Sequence, residues 1–213
     1  MRITVLGGTG YAGSAITGEA ERRGHDVTSL SRAMPAEPVP GVLYRTGSVL
    51  DDAVLAESVR GPDVVFEALS PRGELAGKLE GVVGRLLPLA AAAGVRLGVL
   101  GGASSLEVSP GGPRLVDVRP PAPEVAVEVH TGIALLDIVR GAPEELDWFF
   151  VSPAAGFGAW APGERTGRYR LGDDVLLTDE NGKSLISAAD LAVAILDEIE
   201  QPKHSRRRFH VAY

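Results

Sequence analysis

Three glycines near the amino terminus have the spacing of a phosphate-binding turn. Gly7, Gly10 and Gly13 form a G-x-x-G-x-x-G pattern between the apolar run ITVL and a segment with helical periodicity. Such glycines permit a tight turn, a close approach of the backbone to a pyrophosphate, and close packing of the helix on the strand. Free N–H groups at the helix start favour an anion, and the residues able to join them are Thr9, Tyr11 and Ala12. A dinucleotide site is therefore predicted, with a ligand-free glycine turn as the alternative.

The end of the predicted second strand indicates which dinucleotide the turn would hold. NAD sites usually carry an acidic residue at this position, where it binds the ribose 2′-hydroxyl. Here the strand ends in Ser31 and Arg32, and the acidic Asp26 stands at its start instead. Arg32 offers a planar fork of donors, and Ser31 a hydroxyl donor, for a 2′-phosphate. NADP(H) is therefore predicted in preference to NAD(H), with a solvated surface role for Arg32 as the alternative.

The proton-transfer pair of many dehydrogenases and sugar epimerases is absent. That pair is Tyr-x-x-x-Lys, in which the lysine lowers the pKa of the tyrosine so that it exchanges a proton near neutrality. The four tyrosines are Tyr11, Tyr44, Tyr169 and Tyr213, and none has a lysine four residues later. Alcohol dehydrogenation or sugar epimerisation by this chemistry is therefore not expected.

Two other polar residues are candidates for the chemistry, and one aromatic residue is a candidate for stacking. Ser104 follows the predicted fifth strand, where its hydroxyl could orient a substrate or simply bond to local backbone. His130 borders the predicted buried face of a helix, where it could deliver a proton at neutral pH or remain solvated. Trp160 could stack on a flat ring or pack the carboxyl-terminal segment against the sheet. No metal-ligand cluster is predicted.

The rest of the chain alternates short apolar strands with helical segments. This alternation indicates βαβ units with right-handed crossovers. The predicted fold class is therefore α/β, a Rossmann-type doubly wound parallel sheet with helices on both faces and a small C-terminal annex. The predicted strands are Ile3–Leu6, Asp26–Arg32, Val42–Gly47, Asp63–Leu69, Val95–Gly102, Asp147–Pro153 and the final RRFHVAY.

Two segments interrupt this alternation. Residues 103–123 contain too much proline and glycine for a helix and leave the edge at which open α/β sheets bind ligands. They are predicted to form a lid or a disordered loop, whose candidate residues for an apolar wall are Leu106, Val108, Leu115 and Val118. After Pro153 an irregular, β-rich annex is predicted. A helix then follows the N-cap Ser187, with Asp190 at its third position.

The composition is that of an ordinary globular protein and limits the partners. The 213 residues are 45% hydrophobic and 23% charged, with a formal net charge of −7. Negative charge disfavours a nucleic-acid partner, and the lack of cysteine excludes disulfides and thiolate catalysis. Neither a membrane span nor a signal peptide is recognised. We predict a cytoplasmic monomer or homodimer with one NAD(P)-binding domain over residues 1–213, including a substrate-side annex over residues 154–186.

Several stretches together resemble a known group of proteins. They are VLGGTGYAG, VTSLSR, GGASSLEVSPGG, FFVSPAA, PGERTGRYRLG and LLTDENGKSLIS. Over nearly its whole length the chain resembles the atypical short-chain dehydrogenases/reductases with an NAD(P)H-binding, NmrA-like domain, which are similar to biliverdin and flavin reductases. The resemblance implies NADPH bound in an extended form, with its nicotinamide in an open pocket. Members of the group include reductases of flavins or quinones and proteins that only sense the cofactor.

The resemblance also implies cofactor contacts at matching positions. The pyrophosphate would lie on residues 9–12, the adenine near Val49, and the nicotinamide at the ends of the fifth and sixth strands. One departure is Gly47-Ser48, where related chains often have Gly-Asp. The complete predicted cofactor set is Gly7, Thr9, Gly10, Tyr11, Ala12, Gly13, Ser31, Arg32, Val49, Ala68, Leu69, Ser70, Gly102, Ala103, Ser104, Ser152, Pro153 and Ala154.

The leading hypothesis is an NADPH-dependent reductase of a flavin, a quinone or a similar small conjugated acceptor. Such an acceptor takes its proton from solvent after the hydride, so the missing Tyr–Lys pair is not required. The second hypothesis is a non-catalytic NADP(H)-binding redox sensor. The third is an epimerase or dehydratase-like enzyme with different acid and base groups.

Overall fold

The strands form one eight-stranded sheet in a computed structural model that describes all 213 residues. The strand order is β3-β2-β1-β4-β5-β6-β8-β7, in which every neighbouring pair is parallel except β7 with β8. This order confirms the predicted Rossmann-type fold. The strands are β1 Arg2–Leu6, β2 Asp26–Ser31, β3 Leu43–Thr46, β4 Val64–Glu67, β5 Arg96–Leu100, β6 Trp148–Pro153, β7 Arg170–Gly172 and β8 Arg207–Ala212.

Helices cover both faces of the sheet, as predicted. In β1, Ile3 and Val5 belong to the core under α1 and α6, whereas Leu6 belongs to the core under α2, α3 and α5. Strands covered on both faces are nearly continuous apolar runs, which explains why β1 and β4 are easily recognised in the sequence. The helices are α1 Tyr11–Arg22, α2 Asp52–Ser58, α3 Leu79–Ala93, α4 Leu115–Val118, α5 Pro123–Arg140 and α6 Ala188–Glu200, with a 3₁₀ turn at Gly73–Leu75.

The strand order reverses between β1 and β4. Leu6 at the end of β1 lies opposite Leu30 of β2 on one side and Glu67 of β4 on the other. The carboxyl ends of these strands therefore meet at one edge of the sheet. Such a reversal leaves a crevice outside the strand ends, which is where open α/β sheets bind ligands.

Residues 103–123 differ from the predicted lid or disordered loop. Leu106 and Leu115 are buried with Ala103 in a small core of their own, and α4 lies within the segment. The Glu107 N–H donates to the carbonyl oxygen of Asp174, over 2.8 Å, so the segment is docked on the annex. Val108 and Val118 are exposed. Of the four residues predicted to form an apolar wall, only Leu115 lines the cleft at the carboxyl ends of the strands. The prediction failed for the other three because the contacts that order this segment join distant parts of the chain and leave no local signal.

The annex also contains less sheet than predicted. Its only strand is the three-residue β7, antiparallel to β8. The annex is held to α6 by Asp190, whose carboxylate accepts hydrogen bonds from the Gly167 N–H at 2.7 Å and the Tyr213 hydroxyl at 2.6 Å. The predicted N-cap of α6 is confirmed, since the Asp190 N–H donates to Ser187 Oγ at 3.0 Å.

None of the helices combines the length and the apolar character needed to cross a lipid bilayer. The strand boundaries lie within two residues of the predicted ones. The division of the chain into one domain over residues 1–213 with an annex over residues 154–186 stays a prediction.

Candidate functional site

The turn between β1 and α1 has the shape that its sequence predicts. Gly7 has a φ of 81°, which strongly favours glycine, and a Cβ there would lie 2.8 Å from the Ala68 carbonyl oxygen. A Cβ on Gly13 would collide with the Gly7 carbonyl, so α1 begins directly against the turn. Gly10 is the N-cap and has no side chain to satisfy the first N–H groups of α1. These N–H groups remain available to an anion.

A cleft of about 800 Å³ lies at the carboxyl ends of the strands, between α5 and the annex. This volume is within the usual range for ligand and cofactor sites. Most of the predicted cofactor residues line it. They are Gly7, Thr9, Gly10, Tyr11, Ala12, Ser31, Arg32, Val49, Ala68, Leu69, Ser70, Gly102, Ala103, Ser104, Pro153 and Ala154.

Three of the predicted site residues lie elsewhere. Gly13 packs against the turn, behind the cleft. Ser152 is fully buried in β6, and its carbonyl oxygen lies 2.8 Å from Nδ1 of His210. Side chains alternate along a strand, so a residue beside the cleft-lining Pro153 points into the protein layer instead. His130 is exposed on α5 and does not line the cleft. The structure thus brings Ser104, but not His130, to the predicted reaction site.

One end of the cleft carries the residues predicted to meet the 2′-phosphate. The Thr9 N–H donates to Ser31 Oγ at 3.2 Å, which leaves the Ser31 hydroxyl proton free to donate to a ligand. Arg32 is exposed at the rim, and its Nη1 lies 3.4 Å from Oε2 of Glu74. Glu74 was not predicted from the sequence, because it lies 42 positions from Arg32 and an isolated acidic residue in a loop has no distinctive pattern.

The other end of the cleft is apolar and aromatic. Phe157 and Trp160 of the annex line it, and Trp160 is 72% exposed. The Phe157 ring lies 5.4 Å from the Tyr11 ring, centroid to centroid, and so joins the annex to the glycine turn. A tryptophan this exposed is not packed between annex and sheet. It presents a large flat surface to the cleft, suited to stacking on a conjugated ring.

Five titratable side chains line the cleft. They come from the glycine turn, the end of β2, the loop after β4 and α5, and they are Tyr11, Arg32, Arg72, Glu74 and Glu128. Arg72 Nε donates to Oε2 of Glu128 at 2.6 Å, which ties the loop after β4 to α5. The ends of β5 and β6 contribute only backbone, apolar side chains and the Ser104 hydroxyl to the cleft lining.

A buried carboxyl group, Glu67, lies directly beneath the cleft-lining residues 68–70. Its Oε1 accepts a hydrogen bond from the Leu69 N–H at 2.7 Å, while its Oε2 is buried with no partner. Burial raises the pKa of Glu67 to about 8, against which the Leu69 hydrogen bond acts only in part. Glu67 is therefore a neutral acid near pH 7. The sequence did not predict this buried acid, because a single glutamate at a strand end is expected to be exposed.

An arginine of β8 binds the segment that carries Ser104. Arg208 of β8 is nearly buried; its Nη1 donates to Ser105 Oγ at 2.8 Å, and its guanidinium pairs with Asp174 of the annex. Because Ser105 is the neighbour of Ser104, this contact fixes the backbone on one side of the cleft.

A second cavity of about 710 Å³ lies near the amino ends of β1, β2 and β3, beside α2. Its three arginines are already paired, Arg2 with Asp63, and Arg45 and Arg60 with Glu57. Ligands of open α/β sheets bind at the opposite edge. The cleft at the carboxyl ends is therefore the better candidate site.

Comparisons with known proteins identify the family of this chain. A family model described as NAD(P)H-binding matches residues 7–202, a span that begins at the first glycine of the turn. The chain is 36% identical to the uncharacterized protein YwnB of Bacillus subtilis over 217 aligned residues, covering 99% of this chain and 98% of that protein.

Three solved structures share the whole fold. A candidate exported protein from Burkholderia pseudomallei is 41% identical with a TM-score of 0.86, covering 100% of both chains. A candidate epimerase from Bacteroides thetaiotaomicron is 34% identical with a TM-score of 0.87, covering 100% of this chain and 96% of that one. A candidate NADH-flavin reductase from Streptococcus pneumoniae is 30% identical with a TM-score of 0.87, covering 100% of this chain and 99% of that one.

The cleft fits the nicotinamide dinucleotide that the matching family model implies. Gly7 and Gly13 let the turn pack tightly against the end of β4 and the start of α1, where a Cβ would collide with backbone, and the uncapped N–H groups of α1 lie at this turn. In this arrangement the glycine turn would hold the pyrophosphate, Ser31 and Arg32 would lie at the adenosine end, and residues 102–104 and 153–154 would lie at the nicotinamide end.

Proposed function

The chain belongs to the NAD(P)H-binding family, and on that premise we propose that it is an NADPH-dependent reductase of a flavin, a quinone or a similar small conjugated acceptor. One observation carries the proposal. The cleft joins a glycine cradle to an apolar, aromatic end with the exposed Trp160, and the titratable side chain beside those rings, Tyr11, donates its hydroxyl proton to the Pro162 carbonyl oxygen at 3.4 Å.

The composition of the aromatic end favours a hydride acceptor over a substrate that needs acid catalysis. A bound reduced nicotinamide supplies a hydride. Phe157 and Trp160 would hold a flat ring against it, and Ser104 would orient the ring by a hydrogen bond. A flavin or quinone then takes its proton from water. An alcohol or a sugar would need a proton donor at this end of the cleft, where the Tyr11 hydroxyl is bonded to the Pro162 carbonyl oxygen and burial raises its pKa.

The preference for NADP(H) over NAD(H) is part of the proposal and is supported by Arg32. The end of β2 has no acidic residue to bind a ribose 2′-hydroxyl. Arg32 and Ser31 both line the cleft there and both carry donors suited to a phosphate. The name of the Streptococcus pneumoniae relative specifies NADH, so the cofactor preference is a property to be measured on this chain.

Partners and location are part of the same proposal. The proposed partner is a small-molecule acceptor, with no role for nucleic acid or membrane, and the chain is proposed to act as a monomer or homodimer. The predicted cytoplasmic location stays a prediction, and the Burkholderia pseudomallei relative is named as a candidate exported protein.

A redox sensor without turnover is the second candidate. The same observation favours it, since a cleft end whose tyrosine hydroxyl is already bonded to a backbone carbonyl also suits a protein that only binds the cofactor. The Bacteroides thetaiotaomicron relative is named as a candidate epimerase. That third candidate ranks last, because it would need an acid and a base in contact with the substrate.

The test is steady-state oxidation of NADPH by the purified chain with a panel of acceptors, such as FMN, riboflavin and simple quinones. The reductase proposal predicts acceptor-dependent oxidation that saturates with both substrates. Tight NADPH binding without turnover across the panel would reject the reductase and support the sensor. Interconversion of a nucleotide sugar without net oxidation of NADPH would support the epimerase instead.

A further inference from the structure

At the adenosine end of the cleft, Arg32 has an acidic partner. Its Nη1 lies 3.4 Å from Oε2 of Glu74, and both residues line the cleft. Their side chains are 65% and 44% exposed, so both can be reached by a ligand. Any phosphate that approaches Arg32 therefore also meets a carboxylate.

The position of Glu74 is fixed by its neighbours. It is the middle residue of the 3₁₀ turn Gly73–Leu75, and the Leu75 side chain is buried in the core beneath α3. The turn follows directly on Ser70 and Arg72, which also line the cleft. Glu74 is thus held at the rim by packing, whereas the Arg32 side chain has no other hydrogen-bond partner in the structure.

A carboxylate and a 2′-phosphate use the same donors of a guanidinium fork and repel each other. NADP(H) would have to replace Glu74 as the partner of Arg32 and tolerate its charge nearby. NAD(H) carries no phosphate at this position and would leave the Arg32–Glu74 pair intact. The pair therefore affects the two cofactors differently.

We propose that Glu74 is a specificity-determining residue that competes with the 2′-phosphate for Arg32 and so limits the preference for NADP(H). The inference rests on the proposed function, since it assumes that a nicotinamide dinucleotide binds with its 2′ position near Arg32. It also gives a physical reason why one cleft could accept both cofactors with modest discrimination.

The experiment is a set of calorimetric titrations of NADPH and NADH into the wild type, Glu74→Gln, Arg32→Ala and the double variant. The control is Glu57→Gln, which removes the same charge from an arginine-paired glutamate outside this cleft. We expect Glu74→Gln to raise the NADPH-to-NADH affinity ratio about fivefold, the upper range for an exposed ion pair. The control should leave that ratio unchanged.

In the Arg32→Ala background, the gain from Glu74→Gln should largely disappear, because the competition needs the guanidinium. An unchanged ratio in Glu74→Gln, with both cofactors still bound, would overturn the inference and leave the proposed function standing. A gain that persists fully without Arg32 would also overturn it, since Glu74 would then act on the cofactor directly. Failure of the wild type to bind either cofactor would instead remove the proposed function itself.

Discussion

At the scale of single residues, Glu67 is the most unusual group beside the cleft. It is fully buried, Oε2 has no partner, and its pKa is raised to about 8. In the unfolded chain the same carboxyl would titrate near 4.5. The folded state thus keeps a proton that the unfolded state releases between these values, so stability should fall as pH rises from about 5 to about 8.

Glu67→Gln should remove this loss of stability at rising pH, because an amide keeps the size of the side chain and cannot ionise. At neutral pH the variant should be more stable than the wild type by on the order of a few kcal/mol. Urea unfolding of both proteins across this pH range measures the difference. Glu37→Gln, an exposed loop position, is the control. A parallel pH dependence in wild type and Glu67→Gln would contradict the buried neutral acid.

Trp160 gives a second prediction at this scale. Trp160→Ala removes the exposed ring from the aromatic end of the cleft but leaves the glycine turn intact. The KM for a flavin or quinone acceptor should rise roughly two- to tenfold, the range of an aromatic stacking contact, while the Kd for NADPH stays unchanged. Val127→Ala, an exposed apolar position on α5 outside the cleft, is the matched control. An unchanged acceptor KM would mean that the ring does not contact the substrate.

At the scale of elements, local signals predicted the fold well and tertiary contacts explain the errors. The glycine turn and the Ser187 N-cap are local patterns, and both have the predicted geometry. Residues 103–123 were misread because the features that order them are remote: the Asp174 carbonyl oxygen accepts from Glu107, and Arg208 binds Ser105. A search of the sequence for proline and glycine cannot detect such contacts.

The residues of the candidate site likewise fall into two groups, those that could be predicted from the sequence and those whose position depends on tertiary packing. Thr9 and Arg32 could be named in advance because they follow directly on predicted strands, and Ser70 could be named because the family resemblance implies it. Side chains such as Glu74 and Phe157 reach the cleft through loops whose course depends on packing. Ser152 was predicted to lie at the cleft, but it is buried in β6. Its neighbour Pro153 lines the cleft, and because side chains alternate along a strand, Ser152 points the other way.

The hydrogen bond from Arg208 to Ser105 leads to a prediction for residues 103–118. Arg208→Met should free the backbone around Ser104 and speed amide hydrogen exchange over residues 103–118, with a loss of stability of about 1–3 kcal/mol for the broken buried hydrogen bonds. Arg207→Met is a close control, because Arg207 is exposed and pairs with Asp173 at the surface. Exchange in residues 103–118 that is equal in the two variants would show that the segment is held by Leu106 and Leu115 instead.

At the scale of the whole molecule, the topology explains why one edge of the sheet carries all of the candidate chemistry. The reversal of strand order between β1 and β4 opens the crevice, and two separate cores fix the strands on both sides of it. The adenosine end, the glycine turn and the aromatic end then follow one another along that edge. The central claim is that this crevice binds a nicotinamide dinucleotide through the glycine turn.

The most direct measurement is a calorimetric titration of NADPH into the wild type, Gly13→Ala and Gly18→Ala. A Cβ at Gly13 would collide with the Gly7 carbonyl, whereas a Cβ at Gly18 of the same helix would meet no heavy atom within 4 Å. Circular dichroism confirms that each variant is folded. We predict that the wild type and Gly18→Ala bind NADPH equally and that folded Gly13→Ala binds at least about tenfold more weakly. Equal binding by all three proteins, or no binding by the wild type, would contradict the claim.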